Sequence, residues 1–258
     1  MLSGFFGDTL QLGIAQAVIS AVLALAVVYV ARRNEIHLER ETAVALLRGF
    51  VQIVAVGSIL VLVFRGPSWT SVFVLLFMML AAAATSARRA QGISGAFVVS
   101  FYGIAGGAGV VIASMTVLGV IDARMASLIP VGSMIIASAM NSVALALERF
   151  RSELAASVGL IEAGLALGAD PNRVVAPHVE AAVSAAMIPR IDTLRALGIV
   201  WIPGLMAGMV LAGSDPIYAA IYQFVVVAMI VAASGLSSVI STLLIRGRAF
   251  SAAEQLVI

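Results

Sequence analysis

"TLQLGIAQAVISAVLALAVVYVARR", residues 9–33, decides how the rest of the chain is read. An uncharged, mostly apolar run ends on Arg32 and Arg33. Its length suits the roughly 17–25 residues that carry a helix across the hydrocarbon core of a bilayer. A cleavable signal peptide has a basic start and a shorter apolar part, and this stretch has neither. The two arginines act as a stop-transfer signal, so the stretch reads as a retained membrane span.

Working outward, seven such stretches are expected, at roughly 9–30, 44–64, 68–86, 96–118, 127–147, 197–213 and 217–244. The sixth is interrupted by Pro203. Apolar residues make up 62% of the 258 and charged residues 11%, whereas soluble domains run at about 45–50% apolar. The expected fold is therefore all-α: a polytopic integral membrane protein of about seven transmembrane helices, a single transmembrane domain over 1–258.

Arginine placement orients the spans, because cytoplasmic loops retain basic residues. With the N-terminus outside and the C-terminus cytoplasmic, the inner side holds Arg32, Arg33, Arg40, Arg48, Arg88 and Arg89. It also holds Arg149, Arg151, Arg173, Arg190, Arg195, Arg246 and Arg248. Only Arg65 and Arg124 remain outside. The asymmetry holds across every loop and points to a multi-pass protein of the cell inner membrane.

Absent residues exclude chemistry. There is no Cys, hence no disulfide, no thiolate metal site and no thiol nucleophile. Every basic residue is Arg. The phosphate-binding loop G-x-x-x-x-G-K-[ST] needs a Lys to reach the nucleotide phosphates, so this chain cannot carry one. If ATP powers the protein, another polypeptide hydrolyses it. No H-E-x-x-H or G-x-S-x-G occurs, and "SGLSS" from Ser234 has no base partner. The chain is not expected to be an enzyme. The net charge of +2 comes from arginines between apolar spans and is no sign of nucleic-acid binding.

The acidic residues and both histidines fall in loops or near span ends. Asp8, Asp122 and Asp215 are expected outside; Glu35, His37, Glu39, Glu41, Glu148 and His178 are expected inside. Ion-driven transporters commonly place a carboxylate or His within the membrane as the coupling group, and none is expected there. The uncharged polar residues of the spans are Gln11, Gln16, Gln52, Ser133, Ser138, Asn141, Ser142 and Gln223. Asn141 has two readings, an interhelical hydrogen bond or a polar pathway shared with Ser138 and Ser142, because an unpaired amide is costly in lipid. Gln52 lies one turn from Arg48. Met134, Met140, Met206 and Met209 either fill gaps or offer thioethers to a metal. Gly103 with Gly107, and Gly204 with Gly208, have the spacing that lets backbones approach closely. They could serve packing within the chain or between subunits.

The interval 148–196 is polar but patterned. Phe150, Leu154, Val158, Ile161 and Leu165 form the stripe of an amphipathic helix. Gly168 suits a helix C-terminus, and Asp170–Pro171 suit the N-cap and first residue of a second helix. Val174, Val175, Val179 and Val183 continue an apolar side. Pro177 is expected to kink this second helix and Pro189 to end it. The result is a cytoplasmic helix–turn–helix between the fifth and sixth spans, with Glu148, Asp192 and Arg195 at the cytoplasmic edge. Its acidic residues, Glu148, Glu153, Glu162, Asp170, Glu180 and Asp192, disfavour the anionic inner leaflet and favour a protein partner.

"IEAGLALG", residues 161–168, resembles the cytoplasmic EAA-type loop of ABC transporter permeases: Glu162, Ala163 and Gly164, then Gly168, with Gly164 in place of the third Ala. "RGFVQI" (48–53), "IPVGSMIIASAMNSVALALERF" (129–150), "AAMIPRIDTLRALGIVWIPGLMAGMVLAG" (185–213) and "YQFVVVAMIVAASGLSSVISTLL" (222–244) are similar to the FetB-like permeases. That family includes bacterial iron-export permeases and plant aluminium-tolerance proteins. The resemblance implies a homodimeric permease that exports iron or another metal and carries no cofactor of its own. Two copies of a separate ATP-binding subunit, loaded with ATP and Mg, would dock on the 148–170 helix. Glu162, Ala163, Gly164, Gly168 and Asp170 become the coupling residues. Gln52, Ser138, Met140, Asn141, Ser142 and Met206 become candidates for the substrate pathway. An ion-gradient-driven transporter, or a membrane scaffold for a soluble partner, are the alternatives that the residues alone leave open.

Overall fold

A computed structural model describes residues 9–33, 39–63, 66–67, 69–90, 95–250 and 255–256. Asp8, Glu35, His37 and Arg65 lie outside the described residues, as do the side chains of Glu39 and Glu41. The chain forms two compact units, Met1–Gly66 and Pro67–Ile258.

The first unit contains α1 (Thr9–Arg33) and α2 (Glu39–Val63), which pack on each other. Both are apolar around most of their circumference and bury nothing within their hydrophobic windows, as suits helices facing lipid. At the end of α1 the Arg33 guanidinium stands 5.8 Å from the centre of the Tyr29 ring.

The second unit contains α3 (Thr70–Ala87), α4 (Ala96–Ile104), α5 (Val110–Val117), α6 (Met125–Ala156), α7 (Val158–Ala166), α8 (Pro171–Ala196), α9 (Gly204–Leu211) and α10 (Pro216–Arg246). Six helical stretches of the described residues are long and apolar enough to cross a membrane: 11–30, 42–59, 70–90, 96–117, 125–156 and 216–246. Together they make an all-helical, multi-pass membrane protein.

The core of the second unit is built around α6, which packs on α3, α8 and α10. Ile135, Ala139, Val143, Leu147, Phe150 and Leu154 recur at three- and four-residue steps and are buried, the face expected of a helix with one packed side. The fourth span is α4 and α5 joined by a π-helical turn, Ala105–Gly109. That turn presents glycine to α10. A Cβ on Gly107 would come 2.4 Å from the Ser237 backbone nitrogen, and one on Gly103 would come 2.8 Å from the Ser241 Cβ. This glycine pair therefore serves packing within the chain. Ser237 of "SGLSS" and Ser241 form the opposing surface, and Ser238 turns its hydroxyl back to the Ser234 carbonyl at 2.8 Å.

Three expectations need correction. The stripe from Phe150 to Leu165 does not sit on one helix. Residues 148–156 continue α6, and α7 begins after a break at Ser157 (φ −117°, ψ 15°). Phe150, Leu154 and Ile161 are nonetheless fully buried. Second, Pro189 does not end the second helix. A proline removes one backbone donor and crowds the preceding turn, yet α8 runs through Pro177 and Pro189 to Ala196. It is held against α6 and α10 through Val175, Ala182 and Ala186, and packed neighbours make an internal proline tolerable in membrane helices.

Third, residues 197–213 are not one helix. Gly198 takes a left-handed conformation (φ +77°), and its N–H bonds the Trp201 carbonyl at 3.0 Å. Pro203 then starts the eight-residue α9. At about 1.5 Å per residue, α9 is roughly 12 Å long, too short for a hydrocarbon core of about 30 Å.

Candidate functional site

Two features of the second unit bring expected residues together. The first is the turn from α6 through α7 into α8. Ile161 anchors α7 in the core while Glu162 and Ala163 are exposed beside it. Leu160 and Leu167, 74% and 89% exposed, flank them. Gly164 faces α8: a Cβ there would lie 3.3 Å from a Val174 methyl, so a small residue sets the close approach of α7 to α8. Gly168 (φ +81°) allows the left-handed exit that a side chain would resist. The Asp170 carboxylate accepts from the N–H groups of Asn172 at 2.8 Å and Arg173 at 3.2 Å, capping α8 ahead of Pro171. At the same end of the unit, Arg149 pairs with Glu153 at 2.6 Å, and His178 lies 3.8 Å from Glu153.

The second feature is a cavity of about 310 Å³ between α6, α8 and α10. Met134 and Ser138 line it from α6, Arg190 and Thr193 from α8, and Gln223 from α10, with Trp201 contributed by the break after α8. Ser138 and Ser142 share a face of α6, being four residues apart. Arg190 joins that face: its Nε donates to the Ser142 Oγ at 3.2 Å, and its Nη2 reaches the Ser138 carbonyl at 3.4 Å. Gln223 is only 1% exposed, and both polar atoms of its amide lack a hydrogen-bond partner among the described residues.

Arg190 completes this face from α8. It was expected in the cytoplasmic interval, and it stands level with Ser138 and Ser142, in the interior of the 125–156 apolar helix. Ala182, Ala186 and Arg190 are spaced by four, and those two small residues were the available signal that this face of α8 packs closely. Asp192 and Arg195 follow on α8 and pair with each other at 3.6 Å, both well exposed. They lie beyond Arg190 as seen from the Pro171 end. Glu148 pairs with Arg89 at 3.1 Å. The pair is half exposed, so it contributes less than about 1 kcal/mol.

The other pathway candidates scatter. Ser142 is buried beside Arg190, and the Met140 carbonyl accepts from the Ser86 hydroxyl at 3.0 Å. Asn141 is exposed on α6 with no hydrogen bond among the described residues, and it does not line the cavity. Gln52 and Arg48 are exposed on α2 in the other unit. Met206 is half buried on α9. Among the described residues, no cluster of three or more His, Asp or Glu side chains could hold a metal ion.

Residues 14–250 match the model of a family described as Uncharacterised protein family (UPF0014). The chain is 28% identical over 241 residues to a protein of Escherichia coli named "Probable iron export permease protein FetB", covering 93% of both chains. It is 30% identical to "UPF0014 membrane protein STAR2" of rice, covering 98% of this chain and 89% of that one. To "Protein ALUMINUM SENSITIVE 3" of Arabidopsis thaliana it is 28% identical, over 95% of this chain and 90% of that one. No solved structure matches. With residues 14–250 matched and six helices long and apolar enough to cross a membrane among the described residues, the chain belongs to the UPF0014 family.

Proposed function

We propose that the chain is the permease subunit of an ABC-type transporter, driven by a separate ATP-binding subunit that docks on α7. One observation carries this reading. A short helix holds Ile161 in the core while offering Glu162 and two exposed leucines outward, and one residue, Ser157, joins it to a 32-residue helix. α6 is about 48 Å long at roughly 1.5 Å per residue, so displacement of α7 acts on the segment that carries Ser138 and Ser142. Differential contacts with the partner in its two nucleotide states would bias the bundle between two arrangements.

In this reading the chain crosses the membrane seven times, with the N-terminus outside and the α6–α7–α8 turn and C-terminus in the cytoplasm. The sixth crossing is composite: the C-terminal half of α8, the break at 197–203 and α9. Broken helices in membranes line cavities, where freed backbone groups find partners, and the break here adjoins the Arg190 cavity. The working assembly is two permease chains with two ATP-binding subunits carrying ATP and Mg, in the inner membrane. The relative named as an iron export permease makes iron, free or complexed, the first cargo to test.

Reconstitution of the chain with its ATP-binding partner tests the assignment. The Glu162→Arg substitution should leave membrane insertion intact and lower ATP hydrolysis by the complex about tenfold, the loss expected when a charge at an interface is reversed. Full ATPase coupling in that variant would remove α7 from the docking role.

A further inference from the structure

A guanidinium inside an apolar helix bundle is costly unless it is paired. Arg190 is half buried, and among the described residues no carboxylate lies within 4.0 Å of it. Asp192, two residues on, pairs with Arg195. Of the five N–H groups that an Arg presents, two find acceptors, the Ser142 hydroxyl and, at 3.4 Å, the Ser138 carbonyl. The opposite wall supplies a second unsatisfied group. Gln223 is essentially fully buried and lines the same cavity, and neither polar atom of its amide is hydrogen-bonded among the described residues. Burying an amide without partners is unfavourable, and such groups in native proteins call for an explanation.

One kind of ligand satisfies both walls. An oxygen carrying negative charge accepts from the free N–H groups of Arg190 and from the Gln223 NH₂, and a hydroxyl on the same molecule donates to the Gln223 carbonyl. We propose that the cavity between α6, α8 and α10 is an oxyanion-binding site in which Arg190 and Gln223 hold a small solute bearing carboxylate or phosphate oxygens. Its volume of about 310 Å³ suits a small ligand. A bare divalent cation is disfavoured there, because the cavity offers it a fixed positive charge and no carboxylate. Resting on the permease reading, the site would make the cargo an anion, or a metal already wrapped in an anionic chelate.

Trp201 lines the cavity, and Trp69 is the other tryptophan of the chain. The full chain carrying Trp69→Phe, in lipid nanodiscs at fixed ionic strength, therefore reports on the site through Trp201 fluorescence. Sodium citrate, sodium phosphate and manganese(II) chloride are titrated separately. Citrate or phosphate should give a saturable change, and whichever binds more tightly identifies the source of the oxyanion. Arg190→Gln should weaken that binding about tenfold or more, as expected for loss of a charge-assisted hydrogen bond. Gln223→Leu should weaken it several-fold and probes the opposite wall independently if the arginine variant fails to fold. Three results would each overturn the site: no saturation with either anion, variants that bind like the parent, or saturation by manganese alone. None of them touches the ATPase measurement with Glu162→Arg, so the site and the permease reading fail separately.

Discussion

Gly107 in the π-helical turn and Ser237 on α10 stand so close that a Cβ on the glycine would meet the Ser237 hydroxyl, backbone nitrogen and Cα all within 2.7 Å. Backbone contact of this kind cannot be relieved by turning a side chain. Gly107→Ala is accordingly expected to cost about 1–3 kcal/mol, the range for inserting a methyl into a packed core. The other glycine pair supplies the control. A Cβ on Gly204 or Gly208 meets nothing within 4 Å, so Gly208→Ala should change the stability of the single chain by less than about 0.5 kcal/mol. Thermal unfolding in detergent compares the two; equal midpoints would deny the tight crossing.

The composite sixth crossing predicts opposite sidedness for two nearby turns. The chain has no native Cys, so single cysteines can be introduced without background. In intact cells a membrane-impermeant maleimide should label Ala212→Cys, between α9 and α10, and should not label Leu167→Cys, between α7 and α8. Labelling of both from one side would mean that α8 and α9 do not cross between them.

The Asp170 cap fixes where α8 begins. Asp170→Ala removes the acceptor for the N–H groups of Asn172 and Arg173 and should cost about 1 kcal/mol, with Asp170→Asn retaining most of it. Hydrogen exchange at those two amides should rise in the alanine variant and stay near the parent rate in the asparagine variant.

Asp122 and Arg124 clamp the turn between α5 and α6. The Asp122 Oδ2 accepts from the Arg124 Nε at 2.6 Å, and the Oδ1 accepts from the Arg124 backbone N–H at 3.0 Å. These bonds, the side-chain bond from Arg124 first, hold the Asp122 carboxyl below its ordinary range. Because the folded-state value is the lower one, the contribution to stability is present above the unfolded carboxylate value, about 3.9. It is lost as pH falls through the depressed folded value. The parent should exceed Asp122→Asn by a small constant margin from neutral pH down to about 5. That margin should then shrink on further acidification, as thermal midpoints across the pH series would show.

Much of the architecture was legible from local pattern. The spans at 9–30, 44–64, 68–86, 96–118 and 217–244 correspond to long apolar helices, displaced by a few residues at their ends, and the span at 127–147 lies within a longer helix that runs on to Ala156. The turn at 167–170 was legible as well, because Gly168 and the Asp170–Pro171 pair do their work through their own backbone conformation. Pro189 was misread for the same reason in reverse. Taken locally, a proline followed by an arginine ends a helix in water. Held between α6 and α10, the same two residues continue α8 into the bundle.

The sequence by itself determined that this chain lives in a membrane, because transfer of an apolar side chain into lipid is a property of each residue that adds along a span. It also placed the end of α7 and the start of α8, through Gly168 and the Asp170–Pro171 pair. Only the tertiary structure decided which glycine pair is packed, which polar side chains share a cavity, and that Arg190 and Gln223 face one space. Those outcomes depend on which helices touch and at what register. That information lies in contacts between residues dozens of positions apart, not in the hydropathy of any one stretch.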